Sequence, residues 1–224
     1  MRKFITLILT LSAFFSTFAS ENTLSGKTIA FLGDSYVKNH RRPFSEAWHA
    51  KASENLGLNY VNCGRNGSSI AFDRTDDGFG PAMTERYKKE IPDSADFIVI
   101  IAGHNDADYL TKHSDRNLWN DFCNSLDALL DGLHAKHPDA KIAFVTPWAV
   151  DRQNFKEVTN QIIKACGERG IPVLDMAALG VIDVNNPDFR AKYFQGPNDT
   201  AHLNAAGHDL LVPLGEAFLR LINQ

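Results

Sequence analysis

Residues 28–37 read TIAFLGDSYV. The run from Thr28 to Leu32 is apolar, rich in β-branched and aromatic side chains, and stops on Gly33-Asp34-Ser35. A short run without polar alternation suits a strand covered on both faces. Four more follow: LNYVNCG (58–64), DFIVIIAG (96–103), KIAFVTPW (141–148) and IPVLDM (171–176). Helical patterns lie between and after them. PFSEAWHAKASENLG (43–57) opens on proline and closes on glycine, as helices tend to. LWNDFCNSLDALLDGLHAKHP (118–138) spaces Leu118, Phe122, Leu126, Leu129 and Leu133 by three and four. NFKEVTNQIIKACGERG (154–170) repeats that pattern, and NAAGHDLLVPLGEAFLRLIN (204–223) closes the chain, with Pro213 expected to kink or restart it.

Strands alternating with helices predict an α/β fold: a five-stranded parallel sheet between helical layers, a three-layer α/β/α sandwich. The stretch 176–198 shows weak periodicity and reads as an irregular loop over the site. In such sheets a site lies beyond the carboxyl ends of the strands. The residues just after each strand therefore decide function.

The chain has 224 residues, 44% hydrophobic and 22% charged, enough for one domain with a real core. Its start is read separately. MRK is a short basic segment, FITLILTLSAFFSTFA is uncharged and apolar, and Thr17-Phe18-Ala19 precedes a plausible cut. That is the layout of a signal peptide over 1–19, leaving a single domain over 20–224 and an exported protein, periplasmic or secreted. The apolar run falls short of the roughly 20 residues that span a bilayer, so no stable membrane insertion is expected once the leader is gone. Without Arg2 and Lys3 the formal charge moves from −4 to −6, which excludes the basic footprint that nucleic acid demands. Three cysteines, Cys63, Cys123 and Cys166, cannot all pair within one chain and fit no zinc spacing. Cys123 and Cys166 fall on helical patterns as small core residues.

Four polar blocks stand at the strand ends and before the last helix. They are GDSY from Gly33, NCGRNGSS from Asn62, GHND from Gly103, and DTAH from Asp199 to His202. Acyl transfer by serine needs a hydroxyl, an imidazole to take its proton, a carboxylate to fix the imidazole, and donors for the oxyanion. The four blocks can supply all of these. Taken singly, each has an ordinary explanation, since Gly, Asp, Ser and Asn are what turns are made of.

Together and in this order, the blocks resemble those of the SGNH, or GDSL, hydrolases. Tyr36 stands in place of the leucine in one of the family's names, and Leu203 follows the histidine where proline is common. The resemblance implies a flavodoxin-like sheet and hydrolysis of esters, thioesters or O-acetyl groups. It implies Ser35 as nucleophile, His202 as base and then acid, and Asp199 as the group that holds His202. It also implies an oxyanion hole of the Ser35 and Gly67 backbone N–H groups and the Asn105 side-chain amide. Gly67, lacking a side chain, would let the substrate carbonyl approach. No metal or organic cofactor is required. An exported member without a lipid-binding segment points to a polysaccharide or small-molecule ester, with a carbohydrate O-acetylesterase preferred. The alternatives are a lipase, lysophospholipase or thioesterase of the same fold, and a non-catalytic carbohydrate-binding module.

Other residues have weaker readings. Asp34 and Asp106 are expected to be structural, bonding nearby backbone. His104, Asp106 and Asp108 alternate like metal ligands, but only if the strand continued past Gly103. His134 and His137 suit a helix C-terminus. Arg41, Arg42, Arg65 and Arg74 read as a solvated face, or as contacts to an acidic group on the substrate. Trp148 reads as a sugar- or acyl-stacking ring or as loop packing.

Overall fold

A computed structural model describes residues 23–113, 115 and 117–224. The expected leader, residues 1–19, lies outside them. Five parallel strands form one sheet: β1 Thr28–Gly33, β2 Asn59–Gly64, β3 Phe97–Ile101, β4 Lys141–Val145 and β5 Val173–Leu174. Their order is β2-β1-β3-β4-β5. This places β1 beside β3 at the point where the chain reverses its direction across the sheet, and the crevice there is where α/β sheets take ligands.

The central strands β1, β3 and β4 are apolar over most of their length because both faces are covered, whereas the edge strand β2 carries Asn59 and Asn62. Ala30, Leu32, Ile98, Ile100, Ile142 and Phe144 point into one core. That core is completed by Met83 and Tyr87 of α3 (Met83–Glu90), Ala107 of α4 (His104–Lys112), Phe122 and Leu126 of α5 (Asn117–Lys136), and Val158 and Ile162 of α6 (Phe155–Glu168). Ile29, Phe31, Phe97, Val99, Ile101, Ala143 and Val145 point into the other. There they meet Tyr36 and Val37 of α1 (Ser35–Lys38), Trp48 and Ala52 of α2 (Trp48–Asn55), and Leu211, Phe218 and Leu219 of α9 (Ala205–Ile222). The three-layer α/β/α architecture is thus written in the period-two alternation of these strands.

Three expectations are corrected. The helix expected over 43–57 is split: a 3₁₀ turn covers Phe44–Glu46, Ala47 is extended, and α2 begins at Trp48. Pro213 does not interrupt α9, which runs from Ala205 to Ile222. Pro213 and Asp209, whose carbonyl loses its donor, are both exposed, so water can take the freed acceptor. The stretch 176–198 contains two short helices, α7 (Met176–Leu179) and α8 (Pro187–Tyr193). The Asp175 side chain caps the first and Asn186 the second, with Pro187 at the opening of α8. Helices of four and seven residues are too short to show a 3.6-residue period. Cys63, Cys123 and Cys166 are all free thiols; Cys166 is fully buried and Cys123 packs at the core's edge.

Candidate active site

β1 ends on Gly33 because nothing larger fits. A Cβ there would stand 2.4 Å from the carbonyl oxygen of Ile101 and from Val37. At the end of β2, a Cβ on Gly64 would stand 2.3 Å from the backbone nitrogen of Lys38. These close approaches let α1 lie against the strand ends with Ser35 as its first residue. The Asp34 side chain caps α1, accepting from the Tyr36 N–H at 2.8 Å. Asn39, in the left-handed region at φ 60°, ends it.

Ser35, Asp199 and His202 are brought together. His202 Nε2 lies 3.0 Å from Ser35 Oγ, and Nδ1 lies 3.0 Å from Asp199 Oδ2. With a carboxylate at Nδ1, the proton sits on that nitrogen and Nε2 is left to accept from the hydroxyl. The other Asp199 oxygen accepts from the backbone N–H groups of Ala201 and His202 at 2.8 and 2.9 Å. Burial pushes the Asp199 carboxyl up, but the hydrogen bonds from His202 and these two amides outweigh it and hold it at about 2. The loop carrying His202 is itself tied down. Gln195 N–H donates to the His202 carbonyl, and the Gln195 side chain donates to the carbonyls of His40 and Leu203.

The three expected oxyanion donors stand differently. Among the described residues, neither the Ser35 nor the Gly67 backbone N–H has a protein acceptor. Asn105 Nδ2 lies 3.1 Å from Asp34 Oδ2 and 3.0 Å from the Ser68 carbonyl. Its amide fastens the Ser35 turn to the second loop, so presenting an N–H to an oxyanion means giving up one of those bonds. Gly67 has φ +69°, a region that favours glycine, but the space its side chain would fill is not open: the Phe79 ring would be 2.1 Å from a Cβ. Phe79 in turn lies over the Arg74 guanidinium, 4.6 Å from its centroid.

The loop bearing Gly67 is held from two sides. Asp106, fully buried at the start of α4, accepts from the Ile70 and Ala71 N–H groups at 3.0 and 3.1 Å. Arg86, 4% exposed, donates to Ser68 Oγ at 3.1 Å, to the Cys63 carbonyl at 2.7 Å, and to the Gly33 carbonyl. Asp34 is fully buried, and burial first of all pushes its carboxyl up to about 7, against the pull of the Tyr36 N–H.

His104, Asp106 and Asp108 do not act as one cluster. They open a helix, and His104 Nδ1 meets the Tyr36 hydroxyl at 3.0 Å while Asp108 pairs with Lys112. Three of the four arginines are paired: Arg42 with Glu46, Arg65 with Glu90, and Arg74 with Asp77. Trp148 is 5% exposed, donates to the Thr200 carbonyl and packs 4.4 Å from the Tyr36 ring, which makes it a buried packing residue. His134 lies in the last turn of α5 and His137 follows it, buried.

Two hollows adjoin Ser35 and His202. One is a recess of about 10 Å³, room for about one water molecule, lined by Ser35, Tyr36, Trp48 and Trp148 among others. The other is an open cleft of about 450 Å³ lined by His40, Arg41, His104, Arg152, Asp199 and His202 among others. The His40 ring lies 4.5 Å from that of His202. Phe79, Arg86, His40 and Arg152 were not legible as site residues. Arg86 and Glu90, four apart, read as an ordinary surface helix pair, and His40 sits in a polar run, VKNHRR.

A sequence profile of the GDSL-like lipase/acylhydrolase family matches residues 31–210. No curated protein matches the chain. Among solved structures, a Lactobacillus plantarum protein is similar over 88% of this chain and 98% of its own, with 25% identity and a TM-score of 0.69. The acetyl xylan esterase AlAXEase aligns over 87% of this chain and 98% of its own at 18% identity and a TM-score of 0.64. A catalytic mutant of Axe2, an acetylxylan esterase from Geobacillus stearothermophilus, aligns over 88% and 94% at 19% identity and a TM-score of 0.63. At these last two identities the likeness speaks to the fold.

Proposed function

This chain belongs to the GDSL-like lipase/acylhydrolase family of ester-bond hydrolases, and we propose that it cleaves acetyl esters of carbohydrates through Ser35, His202 and Asp199. Ser35 Oγ attacks the ester carbonyl carbon while His202 Nε2 takes its proton. The carbonyl oxygen, now negative, is received by the N–H groups of Ser35 and Gly67, and by Asn105 once its amide turns from Ser68 or Asp34. The C–O bond to the alcohol breaks as His202 returns the proton to the leaving oxygen. Water then attacks the acetyl-serine ester with His202 as base, releasing acetate and restoring the hydroxyl. Asp199 stays ionised throughout and keeps Nδ1–H pointed at itself. No residue in this sequence of steps needs a metal or organic cofactor.

The observation that carries the acetyl reading is the contrast between the two hollows. The aromatic recess beside Ser35 has about 10 Å³, too little for a long acyl chain. The cleft beside His202 has about 450 Å³ and polar walls, which suits a sugar. Two of the similar structures are acetyl xylan esterases, which agrees with that choice. An acyl-chain series of 4-nitrophenyl esters tests it. Activity concentrated on acetate, with acetate released from acetylated polysaccharides, is the expected result. An optimum at eight carbons or more would replace this reading with a lipase.

We further propose that the protein acts outside the cytoplasm, on the strength of the basic start, apolar run and small residues over 1–19. Cell fractionation, with N-terminal sequencing of the mature chain, tests it.

A further inference from the structure

Beside His202 stand two arginines with no carboxylate of their own, and we propose that Arg41 and Arg152 bind an anionic group on the alcohol portion of the ester. The substrate class is thus an acetylated acidic sugar; this rests on the esterase reading above and narrows it.

Both residues line the cleft that also contains His40, Asp199 and His202. His202 protonates the departing alcohol, so the walls around it face the alcohol and not the acyl group. Among the described residues, Arg41 and Arg152 form no ion pair, whereas Arg42, Arg65 and Arg74 each do. The one carboxylate in the cleft, Asp199, is already occupied by His202 and two backbone amides. The cleft therefore holds two uncompensated guanidinium groups, suited to a carboxylate through paired N–H donors.

Their placement is built, not incidental. Arg41 adopts φ 59°, a left-handed conformation that costs an ordinary side chain energy. The loop around it is fixed at three points. Asn39, 3% exposed, donates to the Pro43 carbonyl at 2.6 Å and accepts from His208 Nε2 at 3.0 Å. The His40 carbonyl accepts from the Gln195 amide at 2.7 Å. Arg152 Nη2 donates to Thr200 Oγ1 at 3.2 Å, one residue from Asp199, and the Thr200 carbonyl is held by Trp148. Backbone strain kept at the mouth of a site, displaying an unpaired cation, suits a group that arrives with the substrate.

The test compares O-acetyl glucuronate with its methyl ester, which removes the charge and little else. Expected is a kcat/KM ratio of about tenfold or more in favour of the acid, the worth of a charge-assisted hydrogen bond, shrinking as salt rises. Arg41→Gln and Arg152→Gln should each cut that ratio, and the double variant should bring it near one; Arg42→Gln, whose charge is spent on Glu46, should not move it. A binding measurement needs no turnover. NMR titration of the Ser35→Ala protein with glucuronate and methyl glucuronate should show the same gap, lost with Arg41→Gln and Arg152→Gln. Equal affinity for the two sugars, or a gap that survives both replacements, overturns the proposal. Failure of a fluorophosphonate to label Ser35 would instead overturn the esterase reading, so the two failures are told apart.

Discussion

The guanidinium of Arg86 donates to the carbonyl of Gly33, two residues before the Ser35 hydroxyl. The same side chain reaches Cys63 O and Ser68 Oγ, so one cation clasps the ends of β1 and β2 and the loop that follows β2. Glu90 balances its charge. Removing the clasp strands buried acceptors and leaves the half-buried Glu90 carboxylate to Arg65 alone. Arg86→Met should lower stability by about 3 kcal/mol or more. It should also lower kcat in the protein that remains folded, because the donors at positions 35 and 67 lose their common anchor. Urea denaturation and steady-state kinetics on one preparation check both.

Ser35→Ala should remove hydrolysis of 4-nitrophenyl acetate and fluorophosphonate labelling while leaving the melting temperature near wild type. Asp199→Asn takes away the acceptor that sets the His202 tautomer, and should reduce kcat by about 10³–10⁴-fold with a smaller effect on KM. Loss of fold on either change would show in circular dichroism.

Asn105→Ala separates fastening from oxyanion binding. If its amide turns to the oxyanion, kcat should fall by about 10²–10³-fold with KM little changed. A change confined to stability would leave the oxyanion to the N–H groups of Ser35 and Gly67 alone.

Gly64 and Gly78 offer a matched comparison. A Cβ on Gly64 meets backbone at 2.3 Å, whereas one on Gly78 meets nothing within 4 Å, though Gly78 has φ +81°. Gly78→Ala should cost about 1 kcal/mol from its backbone conformation alone. Gly64→Ala should cost about 1–3 kcal/mol or more and reduce activity, since α1 and Ser35 must move aside.

His49 lies fully buried behind the Ser35–Lys38 turn, donating from Nε2 to the Tyr36 carbonyl and accepting at Nδ1 from the Tyr60 hydroxyl. Burial lowers its pKa from 6.5 to about 4. The unfolded chain takes up a proton near 6.5 that the folded chain refuses until about 4. Its contribution to stability is therefore complete above 6.5 and lost as pH falls from there toward 4. Full use of that interval amounts to about 3 kcal/mol. His49→Gln offers one donor and one acceptor without the titration, so its unfolding free energy should decline less between pH 7 and pH 4.5 than that of the wild type.

The strands, the layer order and the residues at the strand ends were legible because each rests on a local signal: continuous apolar runs, caps, and Gly-Asp-Ser or Gly-His-Asn-Asp punctuation. Asp34 and Asp106 were legible as structural for the same reason. What escaped was set by tertiary contact. Nothing in TERYKKE distinguishes the buried Arg86 from the exposed Lys88 and Lys89. Nothing in DDGFG shows that Phe79 covers Gly67, since that contact depends on the Arg74–Gly80 bridge. The arginines were read as one group, whereas partner carboxylates divide them into spent and unspent charges.

The hydroxyl and the imidazole are 167 positions apart along the chain. During synthesis the first emerges long before the second, and a polypeptide cut short before position 202 lacks the imidazole altogether. On the proposed mechanism such fragments cannot turn over esters. Turnover would then report only molecules folded through position 202, and recovery of ester cleavage after denaturation would time the docking of the His202 loop onto Ser35.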